Sequence, residues 1–231
     1  STITNTNGTV GLDFKSVNYT ATNYTNNFTA SFSDLAAGVY SYYWWARGNG
    51  TQNNFNVTAT MFYTVANATP TASLTSTAGW TYTYGTSTTL GVSESNAGDG
   101  DMAYNIHRNN VSVGQETITL GGGSWHYLLN TTGGQNYSAV ATLDSTTLTV
   151  NPASGAVALL LNDTAGSISV PYPRTTVPAN TINASAKSST GQTINLFRNG
   201  TNVTTLNHLF EELSAGEYNF TAIALSNQNY T

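Results

Sequence analysis

Apolar and polar residues alternate along most of this chain. Tyr40, Tyr42, Trp44 and Ala46 place an apolar side chain at every second position, as do Tyr218, Phe220, Ala222 and Ala224. Val57, Ala59, Met61, Tyr63 and Val65 continue the pattern on what reads as another single strand. A period of two sends such residues to one face of a β-strand, so the expectation is strands with one side against a core. Ile194, Leu196 and Arg198 alternate up to Asn199-Gly200, a dipeptide that accepts positive φ and predicts a tight hairpin. Only Leu206 to Leu213 shows helical spacing, and it is short enough to make one turn or a bent connection. Strand-like runs end at Val65-Ala-Asn-Ala-Thr-Pro70 and Val150-Asn-Pro152, where proline stops ladder pairing and stiffens a joint.

The same phrases recur. Leu35-Ala-Ala-Gly38-Val-Tyr40-Ser-Tyr42 matches Leu213-Ser-Ala-Gly216-Glu-Tyr218-Asn-Phe220, and Leu120-Gly-Gly-Gly123-Ser-Trp125-His-Tyr127 is a third copy. Tyr104-Asn-Ile-His-Arg108-Asn-Asn matches Ile194-Asn-Leu-Phe-Arg198-Asn-Gly, Gln135-Asn-Tyr137-Ser matches Gln228-Asn-Tyr230-Thr231, and Tyr84-Gly pairs with Tyr172-Pro. Internal periodicity of this kind marks tandem units, here 1–68, 69–152 and 153–231. Repeat two continues past Tyr137 through a strand-like Thr146-Thr-Leu-Thr-Val150, whereas repeat three has one residue after Tyr230. Repeat three is therefore expected to lack its final strand, and an open edge of that kind is one that proteins normally cover. A continuation of the chain or a strand from a neighbouring copy would fill it, and Ser1-Thr-Ile-Thr-Asn5 resembles the segment that is missing.

Composition narrows the class. Charged residues make up 7% of the chain against about 25% in ordinary globular domains, yet 39% hydrophobic and 11% aromatic content is too rich for disorder. Six scattered basic residues and a net charge of -5 leave no stripe to neutralise phosphates, which argues against nucleic acid. No run approaches the roughly 18 apolar residues of a membrane span, and the start reads as a mature or excised segment. Absence of cysteine removes disulfides and thiolate chemistry, and is compatible with secretion because a sandwich of this size holds itself by core packing.

Asparagine supplies the polar surface that charges do not. Asn-X-Ser/Thr acceptors stand at Asn7, Asn18, Asn23, Asn27, Asn49, Asn56, Asn67, Asn110, Asn130, Asn136, Asn162, Asn183, Asn199, Asn202, Asn219 and Asn229. With 28 Asn and 62 Ser plus Thr in 231 residues, chance placement would yield about half as many. Each acceptor implies exposure and a secretory route, hence an extracellular, cell-surface glycoprotein carrying N-linked glycans; the alternative is that Asn and Thr are simply common in turns and edge strands.

The Leu-x-x-Gly-x-Tyr pattern ending at Tyr40 and Tyr218 resembles the tyrosine corner of immunoglobulin-like and fibronectin-type sandwiches, in which the hydroxyl bonds to upstream backbone. Trp125 departs from it, so the resemblance does not carry that bond into repeat two. With the Arg-Asn-Gly turns, the Asn-Tyr-Thr endings and the Asn/Thr-rich composition, the chain is similar to the tandem immunoglobulin-like repeats of archaeal surface proteins. That resemblance implies an all-β chain of three sandwich repeats serving as stalk, adhesin, sheath or filament, with no chemistry and no cofactor.

The residues themselves offer little catalytic material. His107, His126 and His208 lack metal-ligand spacing, and no nucleophile elbow is present, so no enzyme and no metal are expected. Asn96-Ala-Gly-Asp99-Gly-Asp101 reads as a calcium loop without its distal Glu or as an acidic hairpin tip, and Glu211, Glu212 and Glu217 as exposed acids or a cation site. Asp13 and Lys15, two apart on a strand, would share a side and form a solvated pair or one half of a Lys–Asn cross-link with Lys187 as the other candidate. Tyr42-Tyr43-Trp44-Trp45 divides between faces: Trp44 with Tyr42 inward, Tyr43 with Trp45 as the exposed pair. Flat rings there suit sugar stacking or burial at a contact between repeats. Two functions remain, a structural array assembled from its own copies or repeats, and an adhesin or carbohydrate-binding module.

Overall fold

A computed structural model of the chain describes residues 6–25, 27–48, 51–96, 100–169 and 181–231. The chain is all-β. The first group of strands comprises β1 (Thr6–Phe14), β2 (Val17–Thr20), β3 (Thr22–Tyr24), β4 (Asn27–Thr29), β5 (Gly38–Gly48), β6 (Phe55–Val57) and β7 (Met61–Val65). Four of them form a sheet in the order β2-β1-β5-β6, with β7 also paired to β5, and β3 and β4 make a separate hairpin. The single strand expected from Val57 to Val65 is instead two, interrupted where the Thr58 N–H and hydroxyl both turn to the Trp44 backbone at 2.9 and 3.0 Å. The alternating residues of β5 behave as their period requires. Tyr40, Tyr42 and Trp44 pack with Leu12, Phe14, Phe32 and Val65, and Phe14 stacks on Phe32 and Tyr40 with ring centroids 4.3 and 5.3 Å apart.

The next strands are β8 (Ala72–Ser76), β9 (Thr81–Thr83), β10 (Thr88–Glu94), β11 (Tyr104–Arg108), β12 (Val111–Ser112), β13 (Glu116–Ile118), β14 (Gly123–Thr131) and β15 (Val140–Asn151). They form two sheets, β13-β10-β8 and β12-β11-β14-β15-β9. Leu90, Ile106, Tyr127, Leu129, Leu148 and Val150 are each essentially inaccessible to water, and burying one such side chain contributes about 1.5–3 kcal/mol.

The last strands are β16 (Val157–Leu161), β17 (Thr164–Ala165), β18 (Thr181–Ser188), β19 (Ile194–Arg198), β20 (Thr201–Asn202), β21 (Phe210–Glu212) and β22 (Phe220–Ala224), in sheets β17-β16-β18-β21 and β20-β19-β22. Their core is Ala184, Ala186, Leu196 and Val203 with Leu159, Leu161, Ile194, Phe220 and Ala222. The segment with helical spacing holds one 3-10 turn, Thr204–Leu206, and then strand β21. Among the described residues, β22 is the edge of its sheet, whereas the matching β14 is flanked by β15. The Ser1 to Asn5 and Tyr172 matches lie outside the described residues.

Two-residue turns close four of the hairpins, and both turn residues have positive φ in each: Lys15-Ser16, Asn109-Asn110, Asn162-Asp163 and Asn199-Gly200. That geometry matches the natural twist of paired strands and explains the Asn-Gly signal. The chain gathers into two compact units. One comprises Ser1–Ser73, Val92–Ile106 and Leu128–Asp144; the other comprises Leu74–Gly91, His107–Tyr127 and Ser145–Thr231. No helix among the described residues is long and apolar enough to cross a membrane.

Candidate binding face and paired turn motifs

The register of the first sheet decides which side chains leave the core. Leu12 lies opposite Trp44 and Phe14 opposite Tyr42, on the packed side. On the other side Gly11 lies opposite Trp45 and Asp13 opposite Tyr43, with Asn18 of β2 next to Asp13. Val57 faces Trp45, Phe55 faces Arg47 and Phe62 faces Ser41, which extends this outer face across β6 and β7. Phe62, Val39, Phe55 and Val57 are 69%, 65%, 57% and 50% exposed, whereas Tyr43 and Trp45, expected as the exposed pair, are half-buried among their neighbours on this face.

Trp45 is its centre. The indole lies across Gly11 so closely that any Cβ there would run into the ring, which is why this strand position requires glycine. Its N–H donates to Asn18 Oδ1 at 2.8 Å, and the Phe55 ring centroid lies 6.0 Å from its own with Arg47 over the Phe55 ring. Tyr43 donates its hydroxyl to Asp13 at 3.2 Å, and the second Asp13 oxygen accepts the Ser16 N–H at 3.0 Å. Burial, then the Asp13 carboxylate, pushes the Tyr43 hydroxyl above its ordinary value, so it remains a neutral donor. Lys15 is not Asp13's companion. It occupies the turn, and its Nζ lies 5.0 Å over the Tyr40 ring, because the positive φ at Lys15 breaks the strand alternation.

Three corner bonds repeat along the chain. Tyr40 donates to Ala36 O at 2.6 Å and Tyr218 to Ser214 O at 3.1 Å. Trp125, expected to fall outside this pattern, donates its indole N–H to Gly121 O at 3.1 Å. The indole N–H reaches the same carbonyl four residues upstream that a phenol reaches.

A second repeated element was visible in the sequence only as a phrase. In Gln135-Asn136-Tyr137, Asn136 Oδ1 accepts the Ala37 N–H at 2.9 Å, Asn136 O accepts the Ala68 N–H at 2.8 Å, and the Ser138 N–H donates to Ala68 O at 2.9 Å. In Gln228-Asn229-Tyr230 the same bonds recur: Gly122 N–H to Asn229 Oδ1 at 2.9 Å, Ala153 N–H to Asn229 O at 2.8 Å, and Thr231 N–H to Ala153 O at 2.8 Å. Tyr137 and Tyr230 each form a parallel bridge, to Ala68 and Ala153 respectively. Ala37 and Gly122 occupy the same place in their Leu-x-x-Gly loops, one residue after the carbonyl that the corner aromatic holds. Gln228 adds a bond from its amide to Gly122 O at 2.9 Å, and a Cβ on Gly122 would collide with the Gln228 carbonyl, which accounts for glycine in that loop.

A third recurrence is electrostatic. Arg108 pairs with Glu116 at 2.7 Å, and Arg198 pairs with Glu211, each joining strands of different sheets. Glu211 is thus engaged by Arg198. Tyr127 donates to Glu116 at 3.0 Å, and burial foremost pushes its hydroxyl up to about 12. Among the described residues no group of three or more His, Asp or Glu is placed to hold a metal. His126 bonds Ser145 and His208 bonds Ser185; Asp101 accepts the Gln135 N–H, while Asp99 lies outside the described residues.

The acceptor asparagines divide by environment. Asn18, Asn23, Asn27, Asn56, Asn67, Asn110, Asn199, Asn202 and Asn219 are exposed, and Asn130, Asn136, Asn162, Asn183 and Asn229 are half-buried. The Asn67 amide nitrogen donates to Gln135 O at 3.0 Å, so a glycan there would displace a bond. Asn49 and the side chain of Asn7 lie outside the described residues.

No family model matches the chain, and no curated protein does. Among solved structures, one of fibronectin(III)-like modules of Clostridium thermocellum CbhA is similar at 14% identity and a TM-score of 0.28. That match spans 65% of this chain and 82% of that one.

Proposed function

We propose that this chain is part of an extracellular, non-catalytic structural glycoprotein, an array of immunoglobulin-like repeats spanning 1–68, 69–152 and 153–231. The observation that supports this reading is the duplicated latch. The side chain of the Asn in a Gln-Asn-Tyr turn reaches back to the corner loop of the preceding repeat, while its own carbonyl and the N–H two residues later pair with the intervening linker. One such contact would be incidental. Two with the same atoms at matching positions are a device for fixing successive repeats, the need of a stalk, sheath or filament rather than of an enzyme. The exposed acceptor asparagines would carry the glycans that give so weakly charged a surface its solubility. Residual dipolar couplings across each junction test the idea. A common alignment for adjacent repeats that is lost in Asn136→Ala plus Asn229→Ala supports it, and independent tumbling of the unaltered repeats overturns it.

A second reading rests on Trp45. A ring held flat over Gly11 and bordered by Tyr43, Asp13 and Asn18 offers an apolar face with polar edges, the form that stacks on a sugar. Binding on a glycan array that Trp45→Ala abolishes would establish an adhesin or carbohydrate-binding module; no binding by the unaltered chain removes it.

A further inference from the structure

The chain has three Leu-x-x-Gly corner loops but only two Gln-Asn-Tyr turns, and each turn is engaged by the loop upstream of it. The third loop, Leu213 to Gly216, is built like the others. Its corner bond from Tyr218 to Ser214 O holds the carbonyl one residue before Ala215, as Tyr40 does before Ala37 and Trp125 before Gly121's neighbour Gly122. What differs is cover. Gly122 is buried and Ala37 half-buried beneath their turns, whereas Ala215 is exposed.

We propose that the Leu213–Gly216 loop is a docking site for the Gln-Asn-Tyr turn of a further repeat of the same kind, with the Ala215 N–H donating to that turn's asparagine Oδ1. The inference rests on the array reading above and adds the partner and the atoms. Three features on this chain favour that occupant. The donor is a backbone N–H displayed by a loop whose shape is already fixed, so little ordering opposes binding. In both existing cases the complement is an asparagine carbonyl oxygen at 2.9 Å. A second copy of this chain is a poor candidate, because both of its turns are already occupied.

The test uses the full chain lengthened at Thr231 by a second copy of residues 139–231. Thr231 matches Ser138, so this keeps the spacing of the existing repeats and supplies one new turn. Amide hydrogen exchange is read at Ala37, Gly122 and Ala215. Docking slows exchange at Ala215 about tenfold, the scale of one net hydrogen bond, and Asn229→Ala in the added copy alone reverses it. Fast exchange at Ala215 while Ala37 and Gly122 stay protected overturns this inference and leaves the array reading standing. Fast exchange at all three overturns both. Should the lengthened chain fail to fold, a peptide of residues 132–139 is titrated against the original chain. A selective shift of the Ala215 amide, absent with the Asn136→Ala peptide, supports the site, and no shift at millimolar peptide overturns it. Protection of Ala215 by self-association of the original chain would overturn the choice of occupant.

Discussion

Residues 72–151 and 157–224 carry matching phrases, and among the described residues they differ in what flanks the strand that leads out of the corner loop. Both carry an Arg-Asn hairpin, an Arg–Glu pair between sheets and a corner loop. In the earlier region β14 is covered by β15, whose Leu148 and Val150 are fully buried. In the later one β22 is at the edge of its sheet among the described residues, and Ile223 and Leu225 are 46% and 42% exposed. β15 thus supplies two fully buried side chains to the core of the earlier region. The Arg–Glu pair is common to both regions and does not distinguish them.

The sharpest way to break this comparison is core truncation. Leu148→Ala is expected to cost about 3 kcal/mol, while Ile223→Ala or Leu225→Ala changes stability by less than about 0.5 kcal/mol; chemical denaturation followed by tryptophan fluorescence measures both. Equal losses would mean that β15 contributes no more than the open edge does.

Next in size are the latches. Asn229→Ala strands the Gly122 N–H where it is buried, at a cost of about 1–3 kcal/mol. Asn136→Ala exposes the half-buried Ala37 N–H, which water can satisfy, and should cost less than about 1 kcal/mol. Reversal of that order in thermal melts would show that the bonds to the linker, rather than the asparagine side chain, set the strength of each joint.

Tyr127 separates the two regions by pH. Its counterpart in the matched phrase is Phe220, which has no hydroxyl. Because the folded Tyr127 value is raised to about 12 from an ordinary 10.0, the folded state keeps a proton that the unfolded chain has lost. Its contribution is complete below pH 10 and declines as pH rises toward 12. Alkaline melts should therefore show a loss of stability across that window that is smaller in Tyr127→Phe; an unchanged slope would remove the effect.

The smallest difference is in the hairpins. Asn110 has φ +67 where the later region has Gly200 at φ +80. Asn110→Gly, relieving that conformation, should stabilise the chain by about 0.5 kcal/mol, measurable as a shift in denaturation midpoint.

Much of this architecture was legible in the sequence because it is local. Period two in Tyr40 to Ala46 exposes a strand and its inner face, and Asn199-Gly200 exposes a turn, since each depends on neighbours within a few residues. What escaped detection depends on pairing between distant segments. Nothing in the sequence alone joins Asn136 to Ala37, 99 residues apart, or Asn229 to Gly122, 107 apart. The repetition of Gln-Asn-Tyr together with Leu-x-x-Gly was the available signal, and it lay in the co-occurrence of two motifs rather than in either alone. The helical spacing of Leu206 to Leu213 is too short for a helix, and it falls on the connection between a 3-10 turn ending at Leu206 and strand β21. Trp125 breaks the pattern by residue type and keeps it by reach, since an indole N–H and a phenol arrive at the same carbonyl.

The latch also bears on how such a chain grows. Its acceptor is one amide oxygen and its donor a main-chain N–H, supplied by alanine in one loop and by glycine in the other. A duplicated segment therefore arrives with a matching partner at each end, without any compensating change in its neighbours. On the array reading proposed above, unequal recombination would change the number of repeats and leave each junction intact.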